Sequence, residues 1–132
     1  MIVLDTSAIV AIALCEPEEE TFSRVIASHD AALVGTPTLL ETRMVLAARL
    51  ARGAASFIDG FLARPSIRPV AFTLPMVRAA SDAFIRYGRG RGHPAKLNLA
   101  DCMSYAVAKH HALPLLFKGD DFVHTDLIPA AS

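Results

Sequence analysis

Short apolar runs alternate along this chain with longer stretches of helical spacing, the pattern of an α/β fold with a largely parallel sheet. Residues 2–4, Ile-Val-Leu, form the first run and predict a strand that Asp5 ends at once. Helical spacing follows over 7–15 and 18–28, the second begun by Pro17 and acidic in its first turn. Residues 33–34 predict a brief strand before Gly35. From 38 to 52, Leu40, Met44, Val45 and Ala48 share one face and Leu39, Leu46 and Leu50 another, which predicts a helix buried on more than one side and closed by Gly53. A helix over 55–63, a strand over 67–72 and a helix over 75–87 come next, each bounded by Pro or Gly. Asn98 then caps a helix to 111, and strands over 115–117 and 127–128 close the chain, making a central, mostly parallel sheet of about five short strands. Residues 88–96, Gly-Arg-Gly-Arg-Gly-His-Pro-Ala-Lys, suit neither element and read as a basic flexible loop.

With 132 residues, 53% of them hydrophobic, a single domain over 1–132 can bury a substantial core. The 13 Lys and Arg balance the 13 Asp and Glu, which excludes a protein that holds nucleic acid by bulk charge alone. An anionic substrate must therefore meet a local basic patch. Cys15 and Cys102 lack metal-ligand spacing and read as reduced core residues. The start of the chain lacks the basic and long apolar segments of a secretory signal, and its longest nearly uncharged run, 6–15, is far short of the roughly 20 residues that cross a bilayer. A cytoplasmic protein without a membrane partner is expected.

Ligands of open parallel α/β sheets bind beyond the carboxyl ends of the strands, which draws attention to Asp5. Thr6 and Ser7 follow it, able to donate hydrogen bonds to a substrate or to cap the next helix. A bare N-cap role explains Asp5 equally well when it is taken alone. Glu41 falls by helical spacing among Leu40, Met44, Val45 and Ala48, where a carboxylate needs a metal or an ion pair such as Arg43. Asp101, three residues past Asn98, suits a helix N-terminus and shares a face with Tyr105 and Ala108. Asp120 and Asp121 follow the strand at 115–117 as Asp5 follows the first. Carboxylates without an accompanying Cys or His cluster suit hard cations such as Mg²⁺ and Mn²⁺, and the scattered histidines exclude a zinc pattern.

At these positions the chain resembles the PIN-domain ribonucleases, and within them the VapC-type toxins of bacterial toxin-antitoxin pairs. The likeness is carried by Met1-Ile-Val-Leu-Asp-Thr-Ser-Ala8, by Leu40-Glu41-Thr42, by the stretch from Tyr87 through Leu97-Asn-Leu-Ala-Asp-Cys-Met-Ser-Tyr-Ala106, and by Pro114-Leu-Leu-Phe-Lys-Gly-Asp-Asp-Phe-Val-His-Thr-Asp126. It covers nearly the whole chain. What it implies is a three-layer α/β/α sandwich in which Asp5, Glu41 and Asp101 are the first three acids of a metal site. The fourth is Asp121 or Asp120; Asp121 is favoured, and neighbouring extended residues point opposite ways, so only one faces the ion. Asp126 is read as a turn or surface residue, with an outer-shell role as the alternative. Ala100 departs from the glycine common before the aspartate, and Lys96 adds positive charge beside the site.

The resemblance further implies Mg²⁺- or Mn²⁺-dependent endonucleolytic hydrolysis of RNA by a metal-activated water, leaving a 5′-phosphate and a 3′-hydroxyl, with structured RNAs such as tRNA among the targets. It also implies a VapB-like antitoxin partner and a homodimer. Arg89, Arg91 and Lys96 are the candidate backbone-binding cations, with Tyr87 and His93 available for stacking. An aspartate-based phosphatase would need a second aspartate where Ser7 stands. A PIN-like RNA-binding or interaction domain that does not cleave is the remaining alternative, and the intact set of acids counts against it.

Overall fold

The computed structural model describes residues 1–131. Its elements run β1 (Ile2–Leu4), α1 (Thr6–Ala13), α2 (Glu19–Ala27), β2 (Ala32–Gly35), α3 (Thr36–Arg49), α4 (Ala54–Leu62), β3 (Ile67–Val70), α5 (Leu74–Tyr87), α6 (Leu99–His111) and β4 (Leu115–Leu116). The sheet has the order β3-β2-β1-β4, with every pair parallel.

Strand alternation divides the core into two halves. Ile2, Leu4, Ala32, Val34 and Leu116 face one side, where they meet Ile9 of α1, Phe22 and Ile26 of α2 and Phe61 of α4. Val3, Leu33 and Leu115 face the other, against Met76 and Ala83 of α5 and Tyr105, Ala106 and Val107 of α6. Two buried faces explain why these strands are continuous apolar runs. The result is an α/β/α sandwich, with α3 packed against both α1 and α6 and so bridging its two outer layers.

Several expectations are corrected. The sheet has four strands, because residues 127–128 form no strand: Leu115 N–H donates to Ile128 O at 2.9 Å, Ala130 N–H donates to Leu115 O at 2.8 Å, and one isolated bridge joins Leu115 to Pro129. Pro129 has no N–H with which to extend that pairing. Helix α3 ends at Arg49, and Gly53, at φ 99°, precedes α4 instead of closing α3. Cys15 is exposed at φ 52° just beyond α1, while Cys102 is buried.

The largest correction concerns the face α3 buries. Its buried residues are Thr38, Thr42 and Leu46, whereas Leu40 and Met44 are each 62% exposed. The threonines tolerate burial because their hydroxyls are satisfied. Thr42 Oγ1 lies 2.7 Å from Thr38 O and 3.4 Å from Thr6 Oγ1, and Thr38 Oγ1 lies 3.2 Å from Ser104 Oγ. This seam of hydroxyls joins α1, α3 and α6. Glu41 is accordingly half-buried at the margin of the packed face, not set among core residues, and makes no ion pair with Arg43.

Candidate active site

Asp5 stands where β1 passes into α1. It is the N-cap of that helix, at φ −87° and ψ 159°, and only 5% exposed. Its Oδ2 accepts from Ser7 N–H at 3.0 Å and from Ser7 Oγ at 2.6 Å. Ser7 Oγ in turn accepts from the backbone N–H of Lys118 at 2.9 Å, beyond the end of β4. One hydroxyl therefore fixes the carboxylate of β1 relative to the neighbouring strand. The pairing of Leu4 with Leu116 brings these two strand ends side by side.

Asp101 enters from the first turn of α6. Asn98 Oδ1 accepts from Asp101 N–H at 2.8 Å, and Asp101 Oδ2 accepts from Asn98 N–H at 3.1 Å, a reciprocal capping box. Burial raises the Asp101 carboxyl from the usual range to about 6, partly opposed by the Asn98 N–H, and the negative charges of Asp5, Asp121 and Glu41 push it further the same way. Asp5, Asp121 and Glu41 thus lie near enough to Asp101 for their charges to act on it. Asp121 is carried there by the turn after β4, where Gly119 adopts φ 101° and the buried Phe122 ring packs 5.2 Å from Phe117. Asp121 and its neighbour Asp120 are both exposed on this turn, and Asp121 has helical backbone at φ −61° and ψ −44°, so the expectation that the two point opposite ways as extended residues is corrected.

No three His, Cys, Asp or Glu side chains among the described residues are placed so that together they could hold a metal ion. The candidate acids offer carboxylate oxygens alone, and burial raises the carboxyl of Asp101 above its usual range. An all-oxygen set of this kind fits a hard cation that keeps several waters and takes only one or two carboxylates directly. It does not fit a structural zinc, which needs closed tetrahedral ligation by sulfur and nitrogen.

The hydroxyls flanking Asp5 are directed inward. Thr6 is 7% exposed and its hydroxyl lies 3.4 Å from Thr38 O, while Ser7 is engaged with Asp5 and Lys118. Of the basic residues, Arg89 and Lys96 border one open concavity on the loop between α5 and α6, and Arg91 projects from the same loop. Asp126 lies along α6 from the acids: its carboxylate accepts from Tyr105 Oη at 2.6 Å and from Lys109 Nζ at 2.7 Å. The spacing of Tyr105 and Lys109, one turn apart on α6, is the only sequence signal for that contact. Thr38, Thr42 and Ser104 carried no such signal, since isolated threonines and serines are as often surface residues.

Pro37, Leu40, Met44, Val45, Leu99 and Met103 line an apolar groove that Glu41 borders. Leu99 is 76% exposed on its rim. No helix among the described residues is long and apolar enough to cross a membrane.

Comparison with known proteins places this architecture. The PIN domain family matches residues 2–127. Ribonuclease VapC30 of Mycobacterium tuberculosis is 41% identical over 129 residues, covering 98% of each chain. Among solved structures, Mycobacterium tuberculosis VapC20, described as a sarcin-ricin loop cleaving toxin, superposes with a TM-score of 0.82 at 19% identity over 100% of both chains. VapBC2 from Rickettsia felis, bound to a DNA fragment from its promoter, gives a TM-score of 0.76 at 16% identity, covering 98% of this chain and 97% of that one. These matches span nearly the full length of the chain, so this protein belongs to the PIN-domain family, in its VapC-type branch.

Proposed function

We propose that the protein is the toxin of a toxin-antitoxin pair, an endoribonuclease that requires Mg²⁺, with Mn²⁺ as a substitute, and that cleaves structured RNA to leave a 5′-phosphate and a 3′-hydroxyl. The observation that carries this reading is the charge state of Asp101. A carboxyl lifted to about 6 by burial and by three like charges is costly to ionise, and a cation bound among these acids would relieve that cost. Support for RNA as substrate comes from the VapC ribonuclease relative and from the cations Arg89, Arg91 and Lys96, which form no ion pair among the described residues.

In this mechanism Asp5, Glu41, Asp101 and Asp121 would hold the cation, one or two of them directly and the others through its waters. When bound, it would lower the pKa of water into the neutral range and offset charge on the phosphoryl oxygens. Ser7 keeps Asp5 aimed, and Asn98 keeps Asp101 aimed. The hydroxyl seam of Thr6, Thr38, Thr42 and Ser104 holds the three helices that bear the acids at fixed separations. Arg89, Arg91 and Lys96 bind the RNA backbone, which the acids alone would repel.

A VapB-like antitoxin and a second copy of the chain are the protein partners in this reading. The exposed apolar groove of Leu40, Met44, Leu99 and Met103 beside Glu41 supports a protein partner close to the acids, since patches of this kind mark interaction surfaces. The test of activity is incubation of a fluorescent structured RNA with the purified protein and Mg²⁺ or Mn²⁺, with end-group analysis of the products. Cleavage abolished by EDTA, with 5′-phosphate ends, is expected; undiminished cleavage in EDTA, or none with either metal, rejects the reading.

A further inference from the structure

We propose that Arg89, His93 and Lys96 form a built pocket for one RNA backbone phosphate other than the one cleaved. The assignment rests on the ribonuclease reading and goes beyond it: one particular linkage of the RNA is held at one place, and a histidine takes part.

The segment between α5 and α6 was expected to be a loose basic loop, and it is tied at both ends. Arg89 N–H donates to Leu97 O at 2.9 Å, Leu97 N–H donates to Tyr87 O at 2.9 Å, and a parallel bridge joins Gly88 to Leu97. A side chain at Gly88 would collide with the Phe84 carbonyl and ring, so glycine is required where the loop leaves α5. Ala95 and Leu97 are fully buried and anchor the far end in the core. Lys96 between them sits at φ 52°, a left-handed conformation that long side chains rarely adopt. That backbone puts its ammonium in solvent between two buried neighbours.

His93 is equally constrained. Its ring packs edge-on to Tyr87 with centroids 4.9 Å apart, and its Nδ1 accepts from Ala95 N–H at 3.1 Å. In the neutral ring Nε2 therefore carries the proton and is a donor. Arg89, Gly90, Gly92, His93, Pro94 and Lys96 line a single concavity, and Arg91 is outside that lining.

Charge pairing separates these cations from their neighbours. Arg86 and Lys109 are drawn to Asp126, and Lys118 lies within 3.3 Å of Glu16 and 3.2 Å of Glu18. Arg89 and Lys96 have no acidic partner among the described residues. A guanidinium fork, an ammonium and an imidazole donor around small neutral residues match the oxygens of a phosphodiester. Lys96 precedes by two residues the cap of the helix that carries Asp101, so a phosphate held there lies along the strand from the acids and not on them.

The test replaces each non-scissile linkage of a cleavable RNA in turn by an uncharged methylphosphonate and measures KM and kcat with Mn²⁺. For the unmodified RNA, Arg89→Ala and Lys96→Gly should each raise KM by about tenfold, the weight of one charge-assisted hydrogen bond, and lower the log-log salt slope by about 0.7. His93→Ala should raise KM by a smaller factor. One methylphosphonate position should raise KM for the wild type, lose that effect in Arg89→Ala and Lys96→Gly, and keep it in Arg91→Ala. Glycine suits the positive φ, so Lys96→Gly should melt no lower than wild type, which separates lost binding from lost folding. If the RNA is cleaved but no linkage depends on Arg89 or Lys96, the pocket is refuted. If no RNA is cleaved at all, the ribonuclease reading fails and this assignment with it.

Discussion

Ser7 and Asp5 form the shortest link in the site: the Ser7 hydroxyl donates to Asp5 Oδ2 at 2.6 Å while accepting from Lys118 N–H at 2.9 Å. The carboxylate after β1 is thus held by the chain beyond β4, so the placement of Asp5 depends on the sheet being intact. Replacing Ser7 by Ala should weaken Mn²⁺ binding by roughly 10- to 100-fold, the usual effect of losing an outer partner of a metal ligand. Ser7→Thr should restore most of it. Isothermal titration with Mn²⁺ reads both, and equal affinity in wild type and Ser7→Ala would show that Asp5 needs no such support.

Asp101 links pH to stability. Its carboxyl titrates at about 6 in the fold, above the ordinary value of 3.8, so the folded state holds the proton more tightly than the unfolded chain. The stabilisation from that proton is complete below the ordinary value and is lost as pH rises through about 6. Metal-free Asp101→Asn should therefore melt higher than wild type at pH 8, with the gap closing as pH falls from about 6 toward 4. Saturating Mn²⁺ at pH 8 should reverse the order, because only the carboxylate gains from the cation. Thermal melts across that range, with and without Mn²⁺, give the answer; a gap independent of pH would remove Asp101 from the charged centre.

The buried hydroxyl seam makes a different demand. Thr42 is fully buried next to Glu41, and its hydroxyl bonds within α3 and toward α1. Thr42→Val keeps the shape and removes the bonds, so a loss of about 1 kcal/mol in urea unfolding is expected, with weaker Mn²⁺ binding in the protein that remains folded. Unchanged metal affinity would mean that the seam stabilises the helices without aligning their acids.

Asp126 offers a control away from the acids. Burial favours its protonated form, but hydrogen bonds from Lys109 and Tyr105 outweigh this and hold the carboxyl below its usual range. Its stabilisation is present above the ordinary carboxylate value and disappears as pH falls through the lowered one. Tyr105→Phe should lower the melting temperature by a few degrees at pH 7, about 1 kcal/mol for a small domain, and less at pH 3. Mn²⁺ affinity should not change, and a large loss would place Asp126 in the outer shell of the site.

Much of this was legible in the order of residues. Strands buried on both faces read as unbroken apolar runs, so β1 and the parallel α/β plan were visible, and the Asn98 to Asp101 spacing announced its capping box. Asp5 was conspicuous because it interrupts an apolar strand end. The buried face of α3 was hidden because Thr38 and Thr42 satisfy their hydroxyls inside the fold, while apolar Leu40 and Met44 are left outside. Glycine content made residues 88–96 look loose, since a single bridge between Gly88 and Leu97 leaves no periodic trace. The extra strand was expected from apolar Leu127 and Ile128, whose neighbour Pro129 limits pairing to one bridge. That the charges of Asp5, Glu41 and Asp121 reach Asp101 depends on contacts between distant segments, which no local pattern encodes.

The most direct test of the proposed cation site is the single-turnover rate of RNA cleavage as a function of Mn²⁺ for wild type, Asp101→Asn, Asp121→Asn and Asp120→Asn. Asp101→Asn and Asp121→Asn should lose at least about 100-fold at limiting Mn²⁺, while Asp120→Asn stays within about threefold of wild type. Cleavage by Asp101→Asn and Asp121→Asn at the wild-type rate across the titration would contradict a cation-binding centre built from these acids.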